Sequence, residues 1–359
     1  MIICRTPFRI SFFGGGTDYP GWYRRHGGAV LAASIDKYCY LSCRYLPPFF
    51  EHRFRIVYRK IETCATIDEI RHPAVRETLR HLRIDRGVEL HHDGDLPARS
   101  GMGSSSACTV GLLHALYALR GERVTKGRLA SESIHIEQEV LRETVGSQDQ
   151  VMAAYGGLRH VQFHPDGEIE NAPLVLPAER VTELKAHLML VYTGIARTAA
   201  DVARSYVEGI ESRRQLFVLK ELVEESIDVL ASDTDIGAFG DLLHEAWQVK
   251  RGLSAAVSNR EVDALYERAR SAGALGGKLT GAGGGGFLLL FAPPDRHRAV
   301  LDALDGRIHV PFEFESAGSQ IIVYEPGVDY READRARRLN PADPFKEWCF
   351  AGAVEPEAA

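Results

Sequence analysis

A glycine- and serine-rich segment in the first half of the chain has the composition of a phosphate-binding loop. Residues 97–107 read PARSGMGSSSA. Gly101 and Gly103 lack a Cβ, so backbone N–H groups could approach an anion closely there. The apolar periodicity that follows predicts a helix from Ser104. The first N–H groups of a helix have no intrahelical partner and carry the positive end of its dipole, so the segment predicts an anion site.

A plainer interpretation of the same segment is a serine N-cap after a glycine turn. A cap explains one of the three serines at 104–106 and leaves two without a role. A Walker loop is excluded, because Gly277-Lys278 is followed by a leucine and lacks the upstream glycine. The glycine run at 281–286 precedes a predicted strand, whereas a dinucleotide-binding fingerprint follows one.

Two carboxylates lie twelve residues apart further along the chain. Glu137 falls in a predicted helix over residues 126–142, and Asp149 follows in the short polar sequence GSQDQ. A phosphoryl transferase needs one carboxylate for Mg²⁺ and another group beside the attacking hydroxyl. Glu137 suits the first task and Asp149 the second. The alternative for Glu137 is an ordinary surface glutamate, since Glu132 and Glu139 share its helix and Glu143 directly follows it.

The composition excludes several other classes of protein. The 359 residues are 45% apolar and 26% charged, which is typical of a soluble globular protein. A net charge of −6 argues against a nucleic-acid partner, and no apolar run is long enough for a membrane span. The six cysteines form no CxxC pair and the start of the chain lacks signal-peptide features, so we expect reduced thiols and a cytoplasmic protein.

The elements that must position these residues alternate between strands and helices. Strands are predicted at 4–12, 38–45, 54–58, 87–92, 158–163, 187–192, 287–291 and 320–324. Helices are predicted at 72–82, 104–121, 126–142, 298–304 and over most of 199–272. A polar, proline-containing stretch at 165–177 is interpreted as the junction between two α+β domains.

Three motifs in order resemble one superfamily, the GHMP kinases. RTPFRISFFGGGTDYP is similar to its substrate-side motif, PARSGMGSSSA to its nucleotide loop, and GGKLTGAGGGGF to its C-terminal glycine motif. The resemblance spans residues 5–287 and implies an α+β, two-domain GHMP kinase fold. Its N-terminal domain, at 1–165, would be a ribosomal-S5-like α/β nucleotide-binding domain. Its C-terminal domain, at 166–350, would be ferredoxin-like α+β, followed by a flexible tail at 351–359.

The resemblance also implies a role for each matching residue, with ATP and Mg²⁺ as cofactors. Asp149 would be the base or orienting group for the acceptor hydroxyl, and Arg9 would lie beside it and offset charge on the transferred phosphoryl group. Ser105 and Glu137 would hold Mg²⁺. The residues expected to wrap the ATP phosphates are Gly101, Met102, Gly103, Ser104, Ser105 and Ser106. Those expected around the substrate are Gly15, Gly16, Thr17, Asp18, Gly281, Gly283 and Gly284.

Departures from the superfamily pattern narrow the expected substrate. Galactokinases have a Glu-His pair where this chain has Gly15-Gly16, which argues against galactose. The combination of GGGTDYP with KLTGAGGGGF resembles the bacterial heptose kinases. That resemblance implies phosphorylation of the anomeric hydroxyl of D-glycero-D-manno-heptose 7-phosphate, for nucleotide-activated heptose of lipopolysaccharide or capsule. Arg197, or secondly Lys278, is the cation expected for the substrate phosphate.

Other functions stay open at this point. They are a sugar-1-kinase of the L-fucose or galactose type, an ATP-dependent decarboxylase on the same scaffold, and a non-catalytic sugar sensor. The expected partners are ATP and a small sugar phosphate, with no nucleic acid and no membrane, and a homodimer is compatible with the sequence.

Overall fold

The structure, a computed structural model, describes residues 1–195, 199–327, 330–332 and 335. Two separate sheets accompanied by helices confirm the predicted α+β class. Arg197, the end of the predicted second domain and the predicted tail at 351–359 lie outside the described residues.

The larger sheet is formed mainly by the first half of the chain. Its eight strands in the described part of the chain are β1 (Ile2–Phe13), β2 (Gly28–Tyr45), β3 (Phe54–Val57), β4 (Ile61–Cys64), β5 (Val88–Gly94), β6 (Leu158–Phe163), β7 (Ile169–Pro173) and β11 (Gln320–Tyr324). The strand order is β11-β1-β2-β5-β3-β4, with β6 beside β2 and β7 beside β6.

The long strand β2 organises this sheet. One of its edges pairs with β1, and its other edge pairs first with β6 and then with β5, all antiparallel. The late strand β11 pairs antiparallel with β1 on the far side. Strand β1 is therefore held between two neighbours at its start, and it is buried along most of its length.

The smaller sheet and most helices come from the second half of the chain. Antiparallel strands β8 (Leu188–Tyr192), β9 (Gly276–Leu279) and β10 (Phe287–Phe291) have the order β8-β10-β9. The helices are α1 (Pro20–His26), α2 (Pro73–His81), α3 (Ser104–Leu119), α4 (Lys126–His135), α5 (Gln148–Tyr155), α6 (Ala178–His187), α7 (Ala199–Val207), α8 (Gln215–Ala231), α9 (Gly237–Arg251), α10 (Arg260–Ser271) and α11 (His297–Ala303). None of the helices in the described ranges is long and apolar enough to cross a membrane.

Helix α3 is the buried centre of the first half. Its residues face apolar neighbours on nearly every side, because it packs against β1 and β2 as well as other helices. The approach is close at Gly111, where a Cβ would lie 2.7 Å from Leu41 Cδ1 and 2.9 Å from Thr6 Oγ1. This packing fixes the start of α3, and with it the loop at 97–103.

The stretch at 165–177, predicted as a polar junction, contains strand β7 instead. A tight turn precedes β7: the N–H of His164 donates to the Glu168 carbonyl, and Gly167 has φ 96°. The polar sequence of β7 concealed it, because this edge strand has no fully buried residue to give an alternating pattern. The boundary at residue 165 stays a prediction, and strand pairing favours moving it beyond residue 173.

The predicted helix over 126–142 also differs in its second half. Helix α4 continues into a π-helical turn, Ile136–Val140, in which the N–H of Leu141 donates to the carbonyl of Ile136. A π-helical turn often marks a functional position, and this one carries Glu137.

Candidate active site

The predicted phosphate loop ends at the start of α3. Gly101 and Gly103 have φ of 80° and 73°, a left-handed conformation that favours glycine. Gly103 is the residue before the helix, and no side chain caps this end. The serine N-cap interpretation is therefore wrong, and Ser104, Ser105 and Ser106 lie within the first turn of α3.

The phosphate loop contacts the C-terminal glycine motif backbone to backbone. A Cβ on Gly101 would lie 2.5 Å from the Thr280 carbonyl oxygen, and one on Gly281 would lie 2.7 Å from Gly101 Cα. A Cβ on Gly286 would lie 2.2 Å from the carbonyl oxygen of Ser100. Only glycine permits this approach, so the second and third sequence motifs meet in space.

A buried arginine joins the first motif to the same loop. Arg9 Nε and Nη2 donate to the two carboxylate oxygens of Asp149 over 2.7 and 2.8 Å, a bidentate pair. Arg9 Nη1 donates to the Gly101 carbonyl over 2.7 Å, and its N–H donates to the Met102 carbonyl over 3.1 Å. A Cβ on Gly103 would lie 3.3 Å from Asp149 Oδ2. The predicted neighbours Arg9 and Asp149 are thus together, against the phosphate loop.

Glu137 occupies a different environment, beside the first turn of α3. It is fully buried, accepts a hydrogen bond from Ser106 Oγ over 2.8 Å, and accepts another from the amide of Gln150. Burial raises the pKa of Glu137 to about 7, against the opposing effect of its hydrogen bonds from Ser106 and Gln150. No hydrogen-bond partner reaches Oε1 among the described residues.

This unpartnered buried oxygen fits a divalent cation, because Mg²⁺ prefers carboxylate and hydroxyl oxygens. The side chain of Ser106 bonds to Glu137, whereas Ser105 is exposed. Ser106 therefore joins the candidates for the metal site, and the pairing of Ser105 with Glu137 through Mg²⁺ stays a prediction.

The loop after β1 forms the predicted acceptor side of the site. Asp18 is buried, its Oδ1 accepts from the Gly16 N–H over 2.9 Å, and its Oδ2 accepts from the Gln148 N–H over 3.4 Å. Burial raises the pKa of Asp18, and the neighbouring charge of Asp149 acts in the same direction. Thr17 Oγ1 bonds to the carbonyls of Gly14 and Ala29, so its hydroxyl shapes the loop. Substrate contacts by Thr17 and Asp18 stay predictions.

Two polar side chains beside Gly15 were missed by sequence reasoning. Ser11 Oγ and Gln148 Oε1 are buried, with no hydrogen-bond partner among the described residues. A Cβ on Gly15 would lie 3.6 Å from Ser11 Oγ and 3.7 Å from Gln148 Nε2. Alternation along β1 puts Ser11 on the same face as Arg9, and Gln148 directly precedes Asp149. Those sequence relations could have identified both.

Two buried lysines complete the site from the second half of the chain. Lys278 Nζ donates to the Phe12 carbonyl over 2.8 Å, and Lys250 Nζ donates to the Gly281 carbonyl. Burial lowers the pKa of Lys250 to about 8, and Arg9 adds to the effect. Burial, Lys250 and Arg9 lower the pKa of Lys278 well below its usual range. Sequence reasoning missed Lys250, because a basic residue in the last turn of a helix is commonplace.

The remaining glycines of the third motif pack on the C-terminal part of the chain. Gly283 has φ 107°, and the N–H of Gly284 donates to the Val257 carbonyl over 2.8 Å. Closure of Gly281, Gly283 and Gly284 over a substrate stays a prediction. Arg197 lies outside the described residues.

Comparison with known families matches one segment in each half of the chain. The profile of the GHMP kinases N terminal domain matches residues 69–157, and that of the GHMP kinases C terminal domain matches residues 219–308.

Known proteins and solved structures agree with those matches. The D-glycero-alpha-D-manno-heptose 7-phosphate kinase of Campylobacter jejuni is 26% identical over 316 residues, which are 84% of this chain and 92% of the relative. The mevalonate kinase of Methanothermobacter thermautotrophicus is 30% identical over 228 residues, 58% of this chain and 69% of the relative. A solved D-glycero-D-manno-heptose 1-phosphate kinase from Bacteroides thetaiotaomicron shares the fold at a TM-score of 0.74 and 22% identity, covering 90% of this chain and all of its own.

The phosphate loop at 97–107 lies within the first of these family matches and the C-terminal glycine motif within the second. The chain belongs to the GHMP kinases and is an ATP-dependent phosphotransferase.

Proposed function

We propose that the chain transfers the γ-phosphoryl group of ATP to the anomeric hydroxyl of D-glycero-D-manno-heptose 7-phosphate, giving the 1,7-bisphosphate. The observation that carries the chemistry is the Arg9–Asp149 pair held against Gly103 of the phosphate loop. The choice of acceptor is supported by the relative from C. jejuni, which matches over 92% of its length. The product would serve nucleotide-activated heptose for lipopolysaccharide or capsule.

In this proposal Asp149 accepts the proton of the acceptor hydroxyl. The hydroxyl oxygen forms a bond to the γ-phosphorus while the bond from that phosphorus to the β,γ-bridging oxygen breaks, and ADP leaves. Arg9 keeps the carboxylate oriented through two hydrogen bonds and contributes positive charge beside the transferred group. Proton transfer by a positioned carboxylate contributes about 10²–10⁴-fold to such a rate.

The ATP phosphates would bind at the loop from Gly101 to Ser106, where the glycine backbone and the uncapped start of α3 offer N–H donors. Glu137, with Ser106 or Ser105, would hold Mg²⁺. When bound, Mg²⁺ would neutralise charge on the β- and γ-phosphates. The unpartnered Oε1 of Glu137 supports this assignment.

The acceptor sugar would bind around Gly15, Gly16 and Asp18. Ser11 Oγ and Gln148 Oε1 are unsatisfied buried groups beside Gly15, and sugar hydroxyls are suitable partners for them. Lys278 and Arg197 remain the two candidates for contact with the 7-phosphate. Buried Lys278 lies near enough to Asp18 for the two charges to interact.

A substrate panel tests the proposal. The protein is incubated with ATP, Mg²⁺ and, separately, heptose 7-phosphate, unphosphorylated heptose, L-fucose, galactose and mevalonate, and ADP release is measured. We expect kcat/KM for heptose 7-phosphate to exceed that for each neutral sugar by about 10²-fold or more, since its phosphate would otherwise leave a buried cation unpaired. Phosphorus NMR of the product should show a second phosphate on the anomeric carbon.

Other outcomes would replace the proposal. Preferred turnover of L-fucose would favour the activity of a second relative, the L-fucokinase/L-fucose-1-P guanylyltransferase of Bacteroides fragilis, 27% identical over 80% of this chain and 34% of the relative. Release of CO₂ from a mevalonate diphosphate would identify a decarboxylase. ATP binding without ADP release on any acceptor would identify a sensor. A cytoplasmic location and a homodimer stay predictions.

A further inference from the structure

Two lysines are buried in the active site without a carboxylate bonded to either. Lys250 and Lys278 are 4% and 3% exposed. Each ammonium group has one hydrogen-bond acceptor in the described structure, a backbone carbonyl, and neither takes part in a described salt bridge. A buried cation is costly unless a negative partner accompanies it. The missing partner is therefore expected in a ligand.

The position of Lys250 indicates which ligand. Its Nζ bonds to the carbonyl of Gly281, which packs directly on Gly101 of the phosphate loop. The carbonyl of Gly101 in turn accepts a hydrogen bond from Arg9. Lys250 thus lies at the junction where the phosphate loop, the C-terminal glycine motif and the Arg9–Asp149 pair come together.

The balance of charges at this junction is positive. Arg9, Lys250 and Lys278 are three basic groups, against the carboxylates of Asp18 and Asp149, and these groups are close enough to perturb one another. Burial disfavours the charged forms of Lys278 and Asp18 alike, and with both neutral, Arg9 and Lys250 still exceed Asp149 by one positive charge in the described part of the chain. A phosphoryl group in transit spreads negative charge over three equatorial oxygens, and would supply that counterpart.

We propose that Lys250 is a catalytic residue, which donates hydrogen bonds to the equatorial oxygens of the phosphoryl group as it passes from ADP to the acceptor oxygen. The inference rests on the proposed role of Asp149 as the proton acceptor, since that role fixes where the reaction occurs. Lys250 keeps its protons throughout: the acceptor proton goes to Asp149, and ADP carries away the electron pair of the broken bond.

Two further observations favour this assignment. A pKa of about 8 leaves the ammonium of Lys250 mostly protonated at neutral pH, before any anion binds. The carbonyl bonded to Lys250 belongs to Gly281, which packs on Gly101, and Gly101 is bonded to the arginine that holds Asp149. The rival ligand is the distant phosphate of the acceptor sugar, which a cation beside the phosphate loop is poorly positioned to meet.

The test is Lys250→Met, which keeps the length of the side chain and removes its charge. We expect kcat to fall by about 10²–10³-fold, the usual loss for one group that stabilises transition-state charge. The KM values for ATP and sugar should change little. Lys220→Met is the matched control, because Lys220 is half-buried, also donates to one backbone carbonyl, that of His26, and lies outside the site. Its kcat should stay within about twofold of the original.

A transition-state mimic separates catalysis from folding. Inhibition by ADP with aluminium fluoride should weaken by about 10²-fold in Lys250→Met, while the affinity for ADP alone stays unchanged. Lys250→Arg, which keeps the charge, should retain more activity than Lys250→Met. It replaces Lys250→Met as the test variant if the latter fails to fold.

Three results would overturn the inference. They are an unchanged kcat, an increase confined to the KM of a phosphorylated sugar, or an equal loss of ADP and ADP–aluminium fluoride binding. All variants are assayed on whichever acceptor the substrate panel identifies. A wrong acceptor assignment and a wrong role for Lys250 are thereby distinguishable.

Discussion

The two carboxylates of the candidate active site, Asp149 and Glu137, lie twelve residues apart in sequence and in opposite electrostatic environments. The carboxylate of Asp149 is 25% exposed and both of its oxygens accept hydrogen bonds from one arginine. Glu137 is fully buried, has neutral hydrogen-bond donors on one oxygen and none on the other, and has a pKa raised to about 7 by burial.

The carboxylate of Asp149 has its hydrogen-bond partners within the protein, whereas one oxygen of Glu137 is left for the metal ion that we propose. Asp149 already has its cationic partner, so its orientation is set before substrate binds. Glu137 has no cationic partner among the described residues, and burial favours its neutral form in the free protein. A divalent cation would reverse that preference, because metal binding requires the ionised carboxylate. Substitutions that remove one charge at a time should therefore affect different quantities at the two sites.

The largest expected effect is on turnover, from Asp149→Asn. The amide cannot accept the acceptor proton, so kcat should fall by about 10²–10⁴-fold, while ATP affinity and the Mg²⁺ requirement should change little. Steady-state kinetics and isothermal titration with ATP measure the three quantities. An unaltered kcat, or a Mg²⁺ requirement that rises together with the loss of rate, would erase the distinction between the two carboxylates.

The second largest effect is expected from Glu137→Gln, which should weaken Mg²⁺ binding but stabilise the metal-free protein. In activity assays the apparent Mg²⁺ affinity should fall by about tenfold or more, because one ionised ligand is lost. In EDTA the variant should be more stable than the original protein above pH 7. The free energy of unfolding measures this gain, which approaches roughly 3 kcal/mol for a pKa raised from 4.5 to about 7.

The pH dependence of that gain follows from linkage. Between pH 4.5 and 7 the folded protein holds a proton on Glu137 that the unfolded chain has lost, so the stability of the original protein falls as pH rises through this window. Below pH 4.5 both states are protonated and the variant should match the original. Glu139→Gln, two residues away and exposed, is the matched control and should show no such window. A constant difference between Glu137→Gln and the original at every pH would contradict the prediction.

The sequence predicts the surroundings of Asp149 more completely than those of Glu137. The strands at 287–291 and 320–324 were predicted to the residue, because short apolar runs bounded by turns define them. The resemblance of the motifs brought Arg9 to Asp149 correctly. The sequence predicts Glu137 as a metal ligand on a regular helix, but it does not predict the π-helical turn that carries this residue. That turn depends on how α4 meets α3 and α5, which local periodicity does not encode.

Lys250 and Ser106 show why other residues of the candidate site cannot be predicted from the sequence alone. Lys250 has the sequence context of any basic residue in the last turn of a helix, and its burial results from the packing of α9 on its neighbours, which include β9 and α8. Ser105 and Ser106 differ by one position, which is about 100° around a helix. The rotation of α3 about its axis decides which serine meets Glu137, and the packing of α3 on the sheet sets that rotation.

The smallest expected effect separates those two serines and sharpens the account of Glu137. Ser106→Ala removes the donor to Oε2, so the apparent Mg²⁺ affinity should fall by about tenfold and stability by about 1 kcal/mol. Ser105→Ala should leave stability within about 0.5 kcal/mol, because the side chain is exposed and does not cap α3. A Mg²⁺ titration of activity, with thermal melting as a parallel measurement, compares them. If only Ser105→Ala raises the Mg²⁺ requirement, Ser105 is the metal ligand and Ser106 only positions Glu137. If only Ser106→Ala raises the Mg²⁺ requirement, the Ser106 hydroxyl, which is bonded to Glu137, belongs to the metal site.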